Sequence, residues 1–127
     1  MKKVTKQFEE NFNKALDLKN QGNIAEAINI LEELTIERPD IAATFGMLGK
    51  ILWDNGDMEK AIVSFEKATK VNPLSEKASL GLFHLLWEED RKKEAIEEMQ
   101  RYMKIATSED YNEICNELVE KNLIKRN

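Results

Sequence analysis

Apolar residues recur along the chain at intervals of three and four, and the whole pattern repeats every 34 residues. Ala27, Ala61 and Ala95 keep this period, and each is followed directly by an isoleucine. Spacings of three and four place apolar side chains on one face of a helix, so the chain is predicted to be helical. Because several columns agree over three copies, we predict three repeats, at about residues 8–41, 42–75 and 76–109.

The middle unit is the most regular, and it is predicted to contain two helices joined by a tight turn. The first helix is predicted over residues 41–55 and the second over residues 58–71. Gly56 and Asp57 form the turn, because Gly can adopt the left-handed conformation that ends a helix and Asp can cap the next one. Pro73 ends the unit, because the residue before a proline disfavours the α region.

The outer units vary this plan. Gly22 marks the turn of the first unit, whereas the third unit has Asp90 at that position, and Asp90 is expected to help form the turn. Ser108 is a good N-cap for a last helix, predicted as a capping helix at about residues 108–125 after a loop two residues shorter. It would be half of a fourth unit, with Cys115 as a packing residue rather than a reactive thiol. We expect seven helices and no strands.

The residues that recur in the middle unit resemble those of the tetratricopeptide repeat family. The matching positions are Phe45, Leu48, Gly49, Leu52, Ala61, Phe65, Ala68 and Pro73. The resemblance implies an all-α fold, a right-handed α-solenoid of antiparallel helix pairs. The third unit departs from the pattern, because Phe83 and Tyr102 stand where small residues are usual, so its helix spacing is expected to differ.

Charge and hydropathy narrow the functional classes. The chain has 24 acidic and 19 basic residues and a net charge of −5, whereas a nucleic-acid-binding protein usually carries a basic surface. No apolar run approaches the roughly 18 residues of a membrane span, and no apolar run follows the basic start as in a secretory signal. We therefore expect a cytoplasmic protein that binds neither nucleic acid nor membrane.

The resemblance also implies where a partner binds. Repeats of this family curve so that the first helix of each unit lines a concave groove, and mapping the family pattern onto this chain predicts groove residues Phe12, Leu16, Lys50, Trp53, Lys77, Leu80, His84 and Trp87. Trp53 and Trp87 are the only tryptophans and lie one period apart. Aromatic anchors are typical of binding hot spots. The alternative, that both tryptophans only pack the helix ends, stays open.

Several more specific activities are disfavoured. One subgroup of the family binds the C-terminal carboxylates of heat-shock chaperones with Lys, Asn and Arg, but Phe12, Leu16 and Gly81 stand at three of those positions and only Lys77 fits. His84 is the only histidine, which disfavours a metal site. Neither a phosphate-binding glycine loop nor a catalytic constellation is present, so no cofactor and no enzymatic activity are expected.

The function expected from these observations is that of a protein-binding module whose partner is a protein or peptide. Two alternatives stay open: a small acidic immunity protein that neutralises a toxin, and a secretion chaperone. The partner's identity and the choice between the groove and the convex face also stay open. Weak self-association is a further possibility if Val4, Phe8 and Phe12 near the N-terminus are exposed.

Overall fold

The structure is a computed structural model that describes residues 3–125, and this part of the chain contains seven helices and no strand. It is a right-handed α-solenoid of antiparallel helix pairs, as predicted. The helices are α1 (Lys6–Asn20), α2 (Ile24–Glu37), α3 (Ala42–Asp54), α4 (Met58–Val71), α5 (Glu76–Glu88), α6 (Lys92–Ile105) and α7 (Glu109–Glu120). None of the helices in this part of the chain is long and apolar enough to cross a membrane.

The first helix of each unit ends in the same left-handed turn. Gly22 and Gly56 have φ angles of 87° and 85°, and Asp90 has 59° at the equivalent position. In each turn this residue and the one after it donate backbone hydrogen bonds to carbonyls of the helix's last turn, for example from Gly56 to Trp53 and from Asp57 to Leu52. The expectation that Asp90 supports the third turn is confirmed.

The capping helix α7 ends earlier than predicted, at Glu120 rather than near residue 125. Asn122 adopts a φ of 58°, and its N–H and that of Leu123 donate to Val119 and Leu118 in the same hydrogen-bond pattern. Asn tolerates the left-handed conformation, so the turn closes the helix here. This fourth turn comes 32 residues after Asp90, which agrees with a fourth unit shortened by two residues.

Two helix starts test the predicted caps. The side chain of Ser108 accepts a hydrogen bond from the backbone N–H of Tyr111, 3.1 Å away, so Ser108 caps α7 as predicted. The prediction for Asp57 is wrong, because its side chain makes no capping hydrogen bond to α4. It accepts instead from the side chain of Asn55, which precedes it in the same turn. The local turn therefore competes successfully for the carboxylate.

Phe65 of α4 is buried in the core, which extends through all seven helices. Gly49 on α3 and Gly81 on α5 face its ring from two sides, and a Cβ added at Gly81 would lie 2.7 Å from Cε1 of the ring. The small side chains let these two helices approach the second helix of the unit closely. At the N-terminus Val4 is exposed, whereas Phe8 is buried in the core and Phe12 is half-buried, so only Val4 meets the condition stated for self-association.

The third unit keeps its packing by exchanging a large and a small side chain. In the second unit Phe45 packs against Ala68. One period later the same two positions hold Ser79 and Tyr102, both buried. The small Ser79 leaves space for the Tyr102 ring, whose hydroxyl donates to the carbonyl of Leu74 at 3.1 Å. This exchange explains how the unit accommodates a residue that departs from the repeat pattern.

Phe83, the other departure in the third unit, belongs to an aromatic cluster that holds α7. Its ring stacks on Trp87 and meets Tyr111 edge-on, both at centroid distances of 5.7 Å. Tyr111 is fully buried against α5 and α6. These large side chains replace the close backbone approach seen between α3 and α4. The capping helix is therefore attached through side chains, with Cys115 half-buried against the same core.

A buried polar network joins α5, α6 and α7 beneath this cluster. The Ser79 hydroxyl donates to Glu98 at 2.6 Å, so its oxygen accepts from the Tyr111 hydroxyl at 2.7 Å. Glu98 also accepts two N–H groups of Arg101, at 2.8 and 2.6 Å. Burial raises the pKa of the Tyr111 hydroxyl, and the hydrogen bond to Glu98 raises the pKa of Arg101. Tyr111 is therefore held neutral, as a donor to Ser79.

Candidate groove between the first helices

The first helices of the three units border a cavity of about 660 Å³, which we call the groove. Residues of α1, α3, α4 and α5 line it, together with the segment between α4 and α5. Helix α3 supplies the largest share, and its contribution is mostly small or apolar: Ala42, Ala43, Gly46, Met47, Lys50, Trp53 and Asp54. This size falls within the usual range of ligand sites, about 300–1,000 Å³.

Glycines open part of the groove down to the core. Gly46 and Gly81 line it, and so does the ring of Phe65 that packs against Gly81. We call the part of the groove formed by Gly46, Phe65 and Gly81 the glycine notch. Because no side chain covers the helix backbone at the two glycines, an aromatic core residue contributes to a surface cavity.

Charged side chains surround this apolar lining. Lys50 and Lys77 lie on opposite helices of the groove, and Asp54 lies beyond Lys50 on α3. All three are exposed. At the same end as Asp54, the indole N–H of Trp53 donates to the carboxylate of Glu88 on α5 at 3.0 Å, while its ring meets Phe65 edge-on at 6.2 Å. Trp53 is thus held in place by one polar and one apolar contact.

The structure brings together four of the eight residues predicted from the sequence. Phe12, Lys50, Trp53 and Lys77 all line the groove. The other four lie outside its lining, and these are Leu16, Leu80, His84 and Trp87. Leu80 is half-buried against the core, as is Phe12. The binding role of all eight residues stays a prediction.

The two tryptophans, although one period apart, have different surroundings. Trp87 stacks on Phe83, and the ammonium of Lys92 lies 5.3 Å from its ring centroid. It therefore packs within the third unit, against Phe83 of its own helix and Lys92 of α6. His84 is exposed, and its ring meets Phe83 edge-on at 5.4 Å. Trp53 is the tryptophan that faces the groove.

Sequence reasoning misses the contribution of the glycine notch. The repeat pattern places Phe65 only in the core, and Gly81 stands out only because an arginine is absent there. A signal is available, since glycine inside a helix costs about 1 kcal/mol relative to alanine and usually has a packing or functional reason. Among the described residues, no group of three or more His, Cys, Asp or Glu side chains could hold a metal ion.

Two family models described as tetratricopeptide repeat match residues 12–69 and 52–118. The second covers more than half of the chain. The chain belongs to the tetratricopeptide repeat family. No curated protein matches it in sequence. Membership explains the 34-residue period and the paired helices, and it is a statement about the fold.

Several solved tetratricopeptide-type structures are similar to the chain. A fragment of MamA from Desulfovibrio magneticus RS-1 has a TM-score of 0.72 at 20% identity; the match covers 80% of this chain and 58% of that one. The type III secretion chaperone SycD of Yersinia enterocolitica, in complex with a peptide of the translocator YopD, has a TM-score of 0.74 at 15% identity. The match covers 92% of this chain and 90% of SycD. The TPR2B domain of yeast Sti1, in a complex with pHsp70, has a TM-score of 0.70 at 15% identity. The match covers 77% of this chain and 78% of that domain.

These identities support a shared fold alone. The chain spans 58% of the length of two MamA structures that it matches, whereas it covers 90% of SycD. The neighbours therefore agree with the solenoid of helix pairs and do not assign a partner.

Proposed function

We propose that the protein is a non-enzymatic interaction module that binds a segment of a partner protein in the groove. The observation that carries the proposal is the groove itself, a mostly apolar cavity whose lining includes Phe12, Lys50, Trp53 and Lys77. Apolar lining with a few charged groups is typical of a binding site, and an extended segment or helix could place side chains in it. A cytoplasmic location, expected from the sequence, is part of this proposal.

The two tryptophans offer a matched test of the proposal. A partner is first identified by affinity capture and mass spectrometry, and its affinity is then measured with purified protein. We expect Trp53→Ala to weaken binding by about tenfold or more, as at a hot spot, and Trp87→Phe to leave it within about twofold. Phe at position 87 retains an aromatic ring to stack on Phe83, so the variant keeps the third unit packed.

The opposite result would locate binding elsewhere. If Trp87→Phe weakens the binding of a verified partner while Trp53→Ala does not, the groove is not the binding surface. Circular dichroism of both variants checks that they remain helical. Quenching of tryptophan fluorescence in the Trp87→Phe variant, in which Trp53 is the only tryptophan, reports binding at the groove directly.

A role as a secretion chaperone is the second candidate. It is supported by the similarity to SycD over nearly the full length of both chains, since that structure contains a chaperone and a translocator peptide. A chaperone of this kind should keep a secreted client soluble, so co-expression with a candidate client and measurement of the soluble client tests the idea. No structural observation favours the toxin-neutralising alternative, which stays a prediction from charge and size.

A further inference from the structure

Gly46 has no packing reason within the protein. A Cβ added at Gly46 would meet no atom within 4 Å, whereas one added at Gly49 or Gly81 would meet the ring of Phe65 at 3.1 Å or less. Glycine at this position inside α3 still costs about 1 kcal/mol of helix stability relative to alanine. Its bare backbone lies in the wall of the groove, and close approach of a bound group is a reason for glycine there.

The neighbouring units make this gap specific to the middle of the groove. Phe12 and Leu80 stand one period before and after Gly46, so the same position carries a large apolar side chain in the first and third units. Both are half-buried against the core. The second unit alone lacks a side chain there, and the apolar ring of Phe65 lines the same cavity. An apolar side chain from outside would complete the series.

Each glycine of the notch has a lysine one helical turn away. Lys50 follows Gly46 by four residues on α3, and Lys77 precedes Gly81 by four residues on α5. Residues four apart share a helix face, so both lysines lie beside the notch. The lining carries two lysines and one carboxylate, that of Asp54, and the Glu88 carboxylate bound to Trp53 lies at the same end of the groove as Asp54. The groove is thus basic beside the notch and acidic at the Asp54 end, in a protein whose net charge is −5.

From these observations we propose that the occupant is an acidic segment of a partner protein that inserts one apolar side chain into the glycine notch. Its carboxylates lie near Lys50 and Lys77. This inference rests on the proposed function and adds the chemistry of the partner segment. A basic segment is disfavoured, because it would bring like charges next to both lysines.

Selection from a random library of 12-residue peptides, displayed on phage and panned on the full chain, supplies probes before the natural partner has been identified. We expect the enriched peptides to combine Asp or Glu with a large apolar residue. Their dissociation constants are then measured by fluorescence anisotropy against two pairs of variants. Each pair compares a change in the groove with a similar change on the exposed surface of a second helix.

The first pair tests the notch. Gly46→Leu fills it and should still fold, since a Cβ there meets nothing and the equivalent position of the third unit already holds Leu80. Ala25→Leu adds a leucine side chain at an exposed position of α2. We expect Gly46→Leu to weaken peptide binding by about tenfold or more, and Ala25→Leu to change it by less than about twofold. The second pair consists of two double variants. One carries Lys50→Glu and Lys77→Glu in the groove, and the other carries Lys60→Glu and Lys93→Glu at exposed positions of second helices. The groove pair should weaken binding and reduce its salt dependence, and the surface pair should not.

The outcomes separate this inference from the proposed function. The inference would be overturned, and groove binding left in place, if peptide binding is weakened by Trp53→Ala but not by Gly46→Leu. Enrichment of peptides without acidic residues would have the same consequence. Peptides insensitive to both substitutions would overturn both proposals, as would a failure to enrich any peptide over the bare support. Acidic peptides that lose binding with Gly46→Leu and with the groove lysine pair would support both.

Discussion

Gly81 of α5 and the ring of Phe65 on α4 are so close that a Cβ at Gly81 would lie 2.7 Å from Cε1 of the ring. Phe65 cannot turn away easily, because Gly49 contacts the other side of the same ring and the residue is buried. This contact joins the second and third units, and it also places Phe65 in the lining of the groove. The same packing thus stabilises the solenoid and shapes the candidate site.

Substituting the two groove glycines by alanine should therefore have opposite effects. Gly81→Ala forces the Phe65 ring to move, and overpacking of this kind costs about 1–3 kcal/mol, which exceeds the helix-propensity gain of about 1 kcal/mol. Gly46→Ala gains the propensity without a collision, so it should raise the free energy of unfolding. Urea unfolding of both variants measures the difference. Equal stabilities would show that the Phe65 ring adjusts without cost.

The left-handed turn at Asp90 should become more stable with glycine. Asp90 has a φ of 59°, and Gly at the equivalent positions of the first two units adopts this region freely. We expect Asp90→Gly to raise the free energy of unfolding by about 0.5–1 kcal/mol. Asp57→Gly is the control, because Asp57 has a φ of −86°, and there glycine should lower stability. A decrease with Asp90→Gly would mean that its side chain matters more than its backbone.

The hydrogen bond between Ser79 and Tyr111 should be measurable by a double-mutant cycle. Tyr111→Phe leaves the Ser79 hydroxyl paired with Glu98 and should cost about 1 kcal/mol. Ser79→Ala leaves the buried Tyr111 hydroxyl without this partner and should cost more, about 1–3 kcal/mol. We expect a coupling of about 1 kcal/mol in thermal or urea unfolding. Additivity within about 0.3 kcal/mol would mean that the two hydroxyls do not interact.

Burial of Tyr111 should make the protein sensitive to alkaline pH. Its pKa is raised in the folded state above the unfolded value of about 10, so the folded protein holds this proton more tightly. The corresponding stabilisation is complete below about pH 10 and is lost as the pH rises further. Unfolding free energies measured from about pH 8 to about pH 11 should fall less steeply in Tyr111→Phe than in the wild type. Parallel curves for the two proteins would contradict the shift.

Local features of the structure were predictable from the sequence because they depend on neighbours along the chain. The second helix of the middle unit spans Met58–Val71, in agreement with the prediction. The left-handed turn at Asp90 and the cap at Ser108 also agree. The cap assigned to Asp57 and the end of α7 were wrong, because each depended on which of two competing local hydrogen-bond patterns forms.

The candidate site was predictable only in part. Placing the first helices in a groove brought Phe12, Lys50, Trp53 and Lys77 together, as the family pattern implied. Trp87 occupies the same repeat position as Trp53 but packs on Phe83, which replaces the small residue found at Gly49. The repeat pattern assigns positions to a face, whereas the side chains of adjacent helices determine which of those positions remain open.

By itself, the sequence determined the 34-residue period, the seven helices and their turns, and hence the family. These follow from interactions within a few residues and from a pattern repeated along the chain. Only the tertiary structure decided that Phe65 reaches the groove between helices, that the small Ser79 leaves space for the Tyr102 ring, and that Gly46 has no packing partner. Those features depend on distances between residues of different helices, which no spacing along the sequence specifies.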